Sequence, residues 1–121
     1  GLRRVLEECV DLTVVSEAKD GLEGVELARA FHPDVVVMDV NMPGMNGIEA
    51  TKLITRELPS TIVVGLSFET GAQIAQAMKA AGASTCVNKQ RAVEDIHQAI
   101  IDAVAGRRNA KIDNGELIME N

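Results

Sequence analysis

Apolar positions along the chain switch between helical and strand spacing roughly every ten to fifteen residues, the pattern of alternating β and α units. Leu2, Val5, Leu6 and Cys9 are spaced i, i+3, i+4, i+7 and predict a helix over residues 1–9, opening the chain with no strand before it. Thr13-Val14-Val15 predicts a short strand. Asp20-Gly21 is a turn signal, and Gly24, Leu27, Ala28 and Phe31 place one apolar stripe on a helix that Pro33 stops. Val35-Val36-Val37-Met38 is apolar without alternation, which predicts a strand covered by helices on both faces. Residues 47–58 predict a helix with Ala50, Leu53, Ile54 and Leu58 inward, ended by Pro59, and Thr61–Leu66 predicts a second buried strand. Ile74, Ala77, Met78 and Ala81 mark a helix closed by Gly82, and Thr85-Cys86-Val87 is a short strand. Val93, Ile96, Ile100 and Ala103 mark the last helix, before Gly106. Residues 107–115 read as linker, and Leu117-Ile118-Met119 is a final apolar run.

This alternation with short connections predicts an α/β fold, a doubly wound open parallel sheet with helices on both faces. In such a sheet the crossovers are right-handed and function collects at the carboxyl ends of the strands. Three residues fall at those ends: Asp39, Ser67 and Lys89. They are a carboxylate, a hydroxyl and an ammonium.

Composition narrows the partners. The chain has 121 residues, suited to one domain, and a net charge of −6, which leaves no basic footprint for a phosphate backbone. With two Phe and no Tyr or Trp there is nothing on which to stack single-stranded bases, so nucleic-acid binding by this chain is not expected. No apolar run reaches the roughly 18 residues of a membrane span and no secretory pattern opens the chain, so a cytoplasmic, membrane-free protein is expected. Cys9 and Cys86 lie outside any C-x-x-C or Cys/His cluster and read as buried free thiols. His32, before Pro33 at a helix end, and His97, on the last helix, lack a sequence partner that would set a tautomer or pKa, and both read as surface residues.

A carboxylate at a strand end can attack phosphorus and form an acyl phosphate, provided that the charge on the phosphoryl oxygens is neutralised. Lys89 can supply a point charge, Ser67 a hydroxyl donor, and Mg²⁺ held by one or two carboxylates and water can bridge the rest. Singly, such an Asp is often a turn or cap residue and such a Lys is usually solvated. Their joint placement at three strand ends is what points to phosphoryl chemistry.

The run V-V-V-M-D-V-N-M-P-G-M-N-G, residues 35–47, resembles the phosphoacceptor segment of response-regulator receiver domains. The resemblance continues through G-I-E-A-T at 47–51, V-V-G-L-S at 63–67 and A-A-G-A-S-T-C-V-N-K at 80–89, and it covers about residues 1–105. It implies a flavodoxin-like receiver that is phosphorylated on Asp39 by a histidine kinase and passes the change to an output domain or partner protein. It further implies that Ser67 is the switch hydroxyl, that Lys89 contacts the phosphoryl group, and that Asp39 and the backbone carbonyl of Asn41 ligate Mg²⁺. Asn41 and Glu69 would tune the lifetime of the phosphoryl group, and Pro43-Gly44 would shape the loop. Such a protein is a switch, at most catalysing its own phosphorylation and dephosphorylation.

The departures from the family are specific. Cys86 stands where the family keeps its switch aromatic, Gln90 replaces a proline that often follows the lysine, and Phe68 occupies a position that is mostly small. A ring there would either narrow phosphodonor access or pack over the adjacent loop, and because a phenyl ring is costly to expose, packing is expected. The family's first strand, with its acidic pair for Mg²⁺, has no counterpart before residue 1. Residues 1–105 thus read as a receiver incomplete at its amino end, and 106–121 as linker or tail. Glu116–Asn121, an apolar run ending in Glu-Asn, is a candidate replacement strand, in the same chain or exchanged between two chains of a homodimer, with Glu120 offered to Mg²⁺. The alternative function is a degenerate receiver acting as a phosphorylation-independent interaction or dimerisation module. A small-molecule enzyme on this scaffold is disfavoured, because no Gly-rich phosphate loop or nucleophile–base pair is present.

Overall fold

Polar caps and apolar stripes together set the observed elements. A computed structural model describes residues 2–40, 46–68 and 72–113. In chain order it contains α1 (Leu2–Glu7), α2 (Gly21–Phe31), β1 (Val35–Asp39), α3 (Gly47–Glu57), β2 (Ile62–Ser67), α4 (Ala72–Ala80), β3 (Thr85–Asn88), a 3-10 turn (Lys89–Arg91) and α5 (Ala92–Asp113). Asp20 starts α2 by accepting the Glu23 N–H at 2.8 Å, while the Glu23 carboxylate accepts the Lys19 N–H at 2.8 Å, so that orphan donors of the first turn are satisfied from both directions. Asn46 caps α3 in the same way, accepting the Glu49 N–H at 2.9 Å. At the other end of α2, His32 adopts the left-handed conformation, φ 48°, and its N–H closes on the Ala28 carbonyl at 2.9 Å ahead of Pro33.

The three strands are parallel in the order β1-β2-β3, with Asp39 opposite Leu66 and Ser67 opposite Asn88. Period-2 alternation sends Met38, Val40 and Val63 to one face, where they pack with Val25 and Ala28 of α2, Ala50 and Ile54 of α3 and Met78 of α4. Ile62, Val64, Leu66 and Val87 go to the other, against Ile96 and Ile100 of α5, with Leu2, Val5 and Leu6 of α1 at its margin. The expected doubly wound α/β/α arrangement is therefore present.

Several local expectations are corrected. Thr13–Val15 is not a strand. A strand exists only through a ladder, and among the described residues none pairs with this segment. β1 is half-buried except for Met38, whereas β2 is buried throughout; β2 is flanked on both edges and β1 pairs only with β2 among the described strands. On α2 the inward face is Gly21, Val25 and Ala28, and Phe31, its last residue, is 52% exposed. On α5 Ala92, Ile96 and Ile100 are buried and Val93 points outward. The helix also runs past Gly106 to Asp113, into the predicted linker. An exposed glycine lowers helix propensity by about 1 kcal/mol but breaks nothing, and Arg107, Arg108, Ala110 and Lys111 are good helix formers. Cys9 and Cys86 are free but only half-buried, not buried. The candidate replacement strand at Glu116–Asn121 lies outside the described residues.

Candidate functional site

Asp39 and Ser67 are the last residues of β1 and β2, and Lys89 follows β3 directly, so the parallel register alone brings all three to one end of the sheet. The ladder carries on for one step, the Val40 N–H donating to the Leu66 carbonyl at 2.8 Å. α3 then begins directly behind Asp39: a methyl group at Gly47 would stand 2.5 Å from the Asp39 carbonyl oxygen and 2.7 Å from Val40 Cα. Only a residue without Cβ allows this approach, and it fixes the backbone that presents the carboxylate.

Asp39 Oδ2 and Lys89 Nζ form an ion pair across the site, with about a quarter of each side chain exposed. Ser67 is buried at the adjacent strand end. The Asn88 side chain accepts the Gln90 N–H at 2.8 Å, which starts the 3-10 turn and turns the chain just where Lys89 leaves the sheet. All three predicted residues thus converge at this end of the sheet. Asn41, Glu69, Glu120 and Pro43-Gly44 lie outside the described residues.

Phe68 departs from expectation. The residue is 59% exposed, and the face of its ring meets Lys89 Nζ at 4.4 Å from the centroid. Sequence spacing could not place these two together, although Phe68 next to the predicted hydroxyl was a visible signal. Cys86, at the position of the family's aromatic, faces Gly65 across the β2–β3 ladder; a methyl at Gly65 would stand 2.7 Å from Met78 Cε and 3.3 Å from Cys86 Sγ. Burial pushes the Cys86 thiol above its ordinary pKa, which keeps it uncharged at neutral pH, a packing group. His97 has a partner after all: its Nε2 lies 3.0 Å from Asp11 Oδ1, tying α5 to the turn after α1. That contact holds the Asp11 carboxyl below its usual range.

Mg²⁺ takes oxygen donors and is commonly held by one or two carboxylates plus phosphate oxygens and water. Asp39 fits that donor chemistry. Among the described residues no group of three or more His, Cys, Asp or Glu is arranged to enclose a metal. No helix among them is long and apolar enough to cross a membrane.

The sheet is parallel, flanked by helices, and carries a carboxylate, a hydroxyl and a lysine at its carboxyl end. The family model described as "Response regulator receiver domain" matches residues 1–101, and the chain belongs to that family. It is 39% identical over 107 residues to the transcriptional regulatory protein LnrK of Bacillus subtilis, covering 88% of this chain and 48% of that protein. It is 37% identical over 107 residues to the nitrate/nitrite response regulator NarL of Escherichia coli, covering 88% of this chain and 49% of that one. Among solved structures, a LuxR-family two-component response regulator from Aurantimonas sp. superposes with a TM-score of 0.81 at 36% identity, covering 86% of this chain and 74% of that chain. The chain spans about half the length of the curated relatives it matches.

Proposed function

We propose that Asp39 is the phosphoryl acceptor of this receiver, with Lys89 and Ser67 as the groups that bind the transferred phosphoryl oxygens. The observation that carries this reading is the Asp39–Lys89 ion pair at the carboxyl end of the sheet. A carboxylate oxygen of Asp39 attacks the donor phosphorus. The new O–P bond forms as the donor's P–N bond breaks, and the leaving nitrogen keeps the electron pair and takes a proton. Charge then moves from the carboxylate onto the phosphoryl oxygens, and the Lys89 ammonium can follow it without leaving the site. Ser67, at the neighbouring strand end, offers a hydroxyl donor to a second oxygen. When bound, Mg²⁺ would neutralise charge on the phosphoryl group; Asp39 would hold it, with the Asn41 carbonyl as a further donor.

The phosphohistidine of a histidine kinase supplies the P–N bond that this chemistry consumes. Relatives about twice as long fit a receiver that acts on an output domain, the phosphoryl group shifting a population between two conformations. In this reading the chain turns over no external substrate. A phosphorylation-independent module would have no need of the Asp39–Lys89 pair, which supports the acceptor reading over that alternative.

The test is incubation of the purified chain with phosphoramidate, which also carries a P–N bond, with Mg²⁺ or with a chelator. One phosphoryl group per chain is expected by intact mass, dependent on Mg²⁺, removed by hydroxylamine and at least tenfold slower to form in Lys89→Met. A folded chain that stays unmodified would contradict the reading, and labelling unaffected by the chelator would contradict the role of Mg²⁺.

A further inference from the structure

The structure assigns a positioning role to Phe68, one that rests on the reading of Asp39 as acceptor and goes beyond it. A phenylalanine that stays 59% exposed forgoes much of the gain that burial would bring. Its face meets a cation instead, Lys89 Nζ lying 4.4 Å from the ring centroid, well inside the range of a cation–π contact. The same ammonium is ion-paired with Asp39.

An ammonium has three N–H donors and no acceptor, so it can address the carboxylate while another side of it rests on the negative face of the ring. The two contacts come from different strands, Asp39 from β1 and Phe68 from the residue after β2. Together they pin the end of a flexible four-carbon stem that would otherwise sample solvent. Phosphoryl transfer requires this ammonium to stay beside the acceptor while negative charge moves from the Asp39 oxygens to the phosphoryl oxygens. An aliphatic side chain at position 68 fills similar space but has no ring quadrupole, and leaves the ammonium free to hydrate. Phe68 therefore acts through Lys89, holding it ready before the donor arrives.

The experiment compares initial rates of phosphorylation by phosphoramidate in the wild-type chain, Phe68→Leu and Phe68→Tyr. Phe68→Leu is expected to be about two- to fivefold slower, the equivalent of about 0.5–1 kcal/mol for an exposed cation–π contact, and Phe68→Tyr to retain the wild-type rate. A rate for Phe68→Leu equal to or above wild type would overturn the proposal and leave the ring as a cover. A second arm reads the contact without phosphorylation. The chain has no Trp or Tyr, so Phe68→Trp carries the only strong fluorophore. Adding Lys89→Met to that variant is expected to change the indole emission, with circular dichroism confirming the fold; identical emission would show that the ammonium is not on the ring. An unmodified wild type defeats the acceptor reading and the positioning role with it, whereas a modified wild type with an unaffected Phe68→Leu defeats the positioning role alone.

Discussion

At the scale of single residues, the site depends on a side chain that is absent. Gly47 lets α3 start against the backbone of Asp39, and a methyl there meets the Asp39 carbonyl oxygen and Val40 Cα, neither of which can rotate away as a flexible side chain could. Gly47→Ala is therefore expected to cost about 1–3 kcal/mol in urea denaturation and to slow phosphorylation as well, because the displaced backbone is the one that presents Asp39, the proposed acceptor. A variant of unchanged stability and rate would mean that the α3 approach is looser than described. Gly65 differs in kind. Its neighbours are the tip of Met78 and the Cys86 thiol, so the missing Cβ there makes room for packing rather than for backbone.

At the scale of elements, α2 and α3 are joined across the surface by a two-point ion pair, Arg29 Nε to Glu57 Oε1 at 2.6 Å and Nη2 to Oε2 at 2.8 Å. The guanidinium holds the Glu57 carboxyl below its ordinary range. A depressed carboxyl stabilises the fold at pH above its unfolded pKa, and that contribution fades as pH falls through the folded pKa. The melting-temperature gap between wild type and Arg29→Met should thus be open at neutral pH and narrow as the pH falls through and below the ordinary carboxylate range; a gap independent of pH would deny the pair its role. α5 supports a separate expectation. Nothing surrounds a methyl at Gly106, so Gly106→Ala should raise helicity at 222 nm and stability by up to about 1 kcal/mol. No gain would place the end of the helix before that residue. Apolar stripes within an element were legible from sequence, as the run of β2 illustrates, whereas Asp20 read only as part of a turn and the capping by Asn46 came from the structure. Thr13–Val15 was not, because strand propensity is local whereas a ladder needs a neighbour, and the end of α5 was not, because Gly106 weakens a helix without stopping it.

At the scale of the whole molecule, parallel strand order converts three distant sequence positions into one site. Asp39, Ser67 and Lys89 could be named from the rule that function collects at strand ends, and that rule needed only the order of elements. What it could not supply was contact: the Asp39–Lys89 pair spans 50 residues, and the Phe68 ring under Lys89 depends on how two turns from different strands meet. The same architecture separates two apolar layers, α2, α3 and α4 on one face of the sheet and α5 with α1 on the other, so the site lies where both layers end. We propose that this end of the sheet takes a phosphoryl group on Asp39. The most direct measurement is borohydride reduction of the phosphoramidate-treated chain followed by peptide mass spectrometry, since hydride converts an aspartyl phosphate to homoserine and marks the modified residue. Homoserine at position 39, absent from Asp39→Asn, is the predicted result. Conversion at another carboxylate such as Asp34, or none in a folded chain, would contradict it.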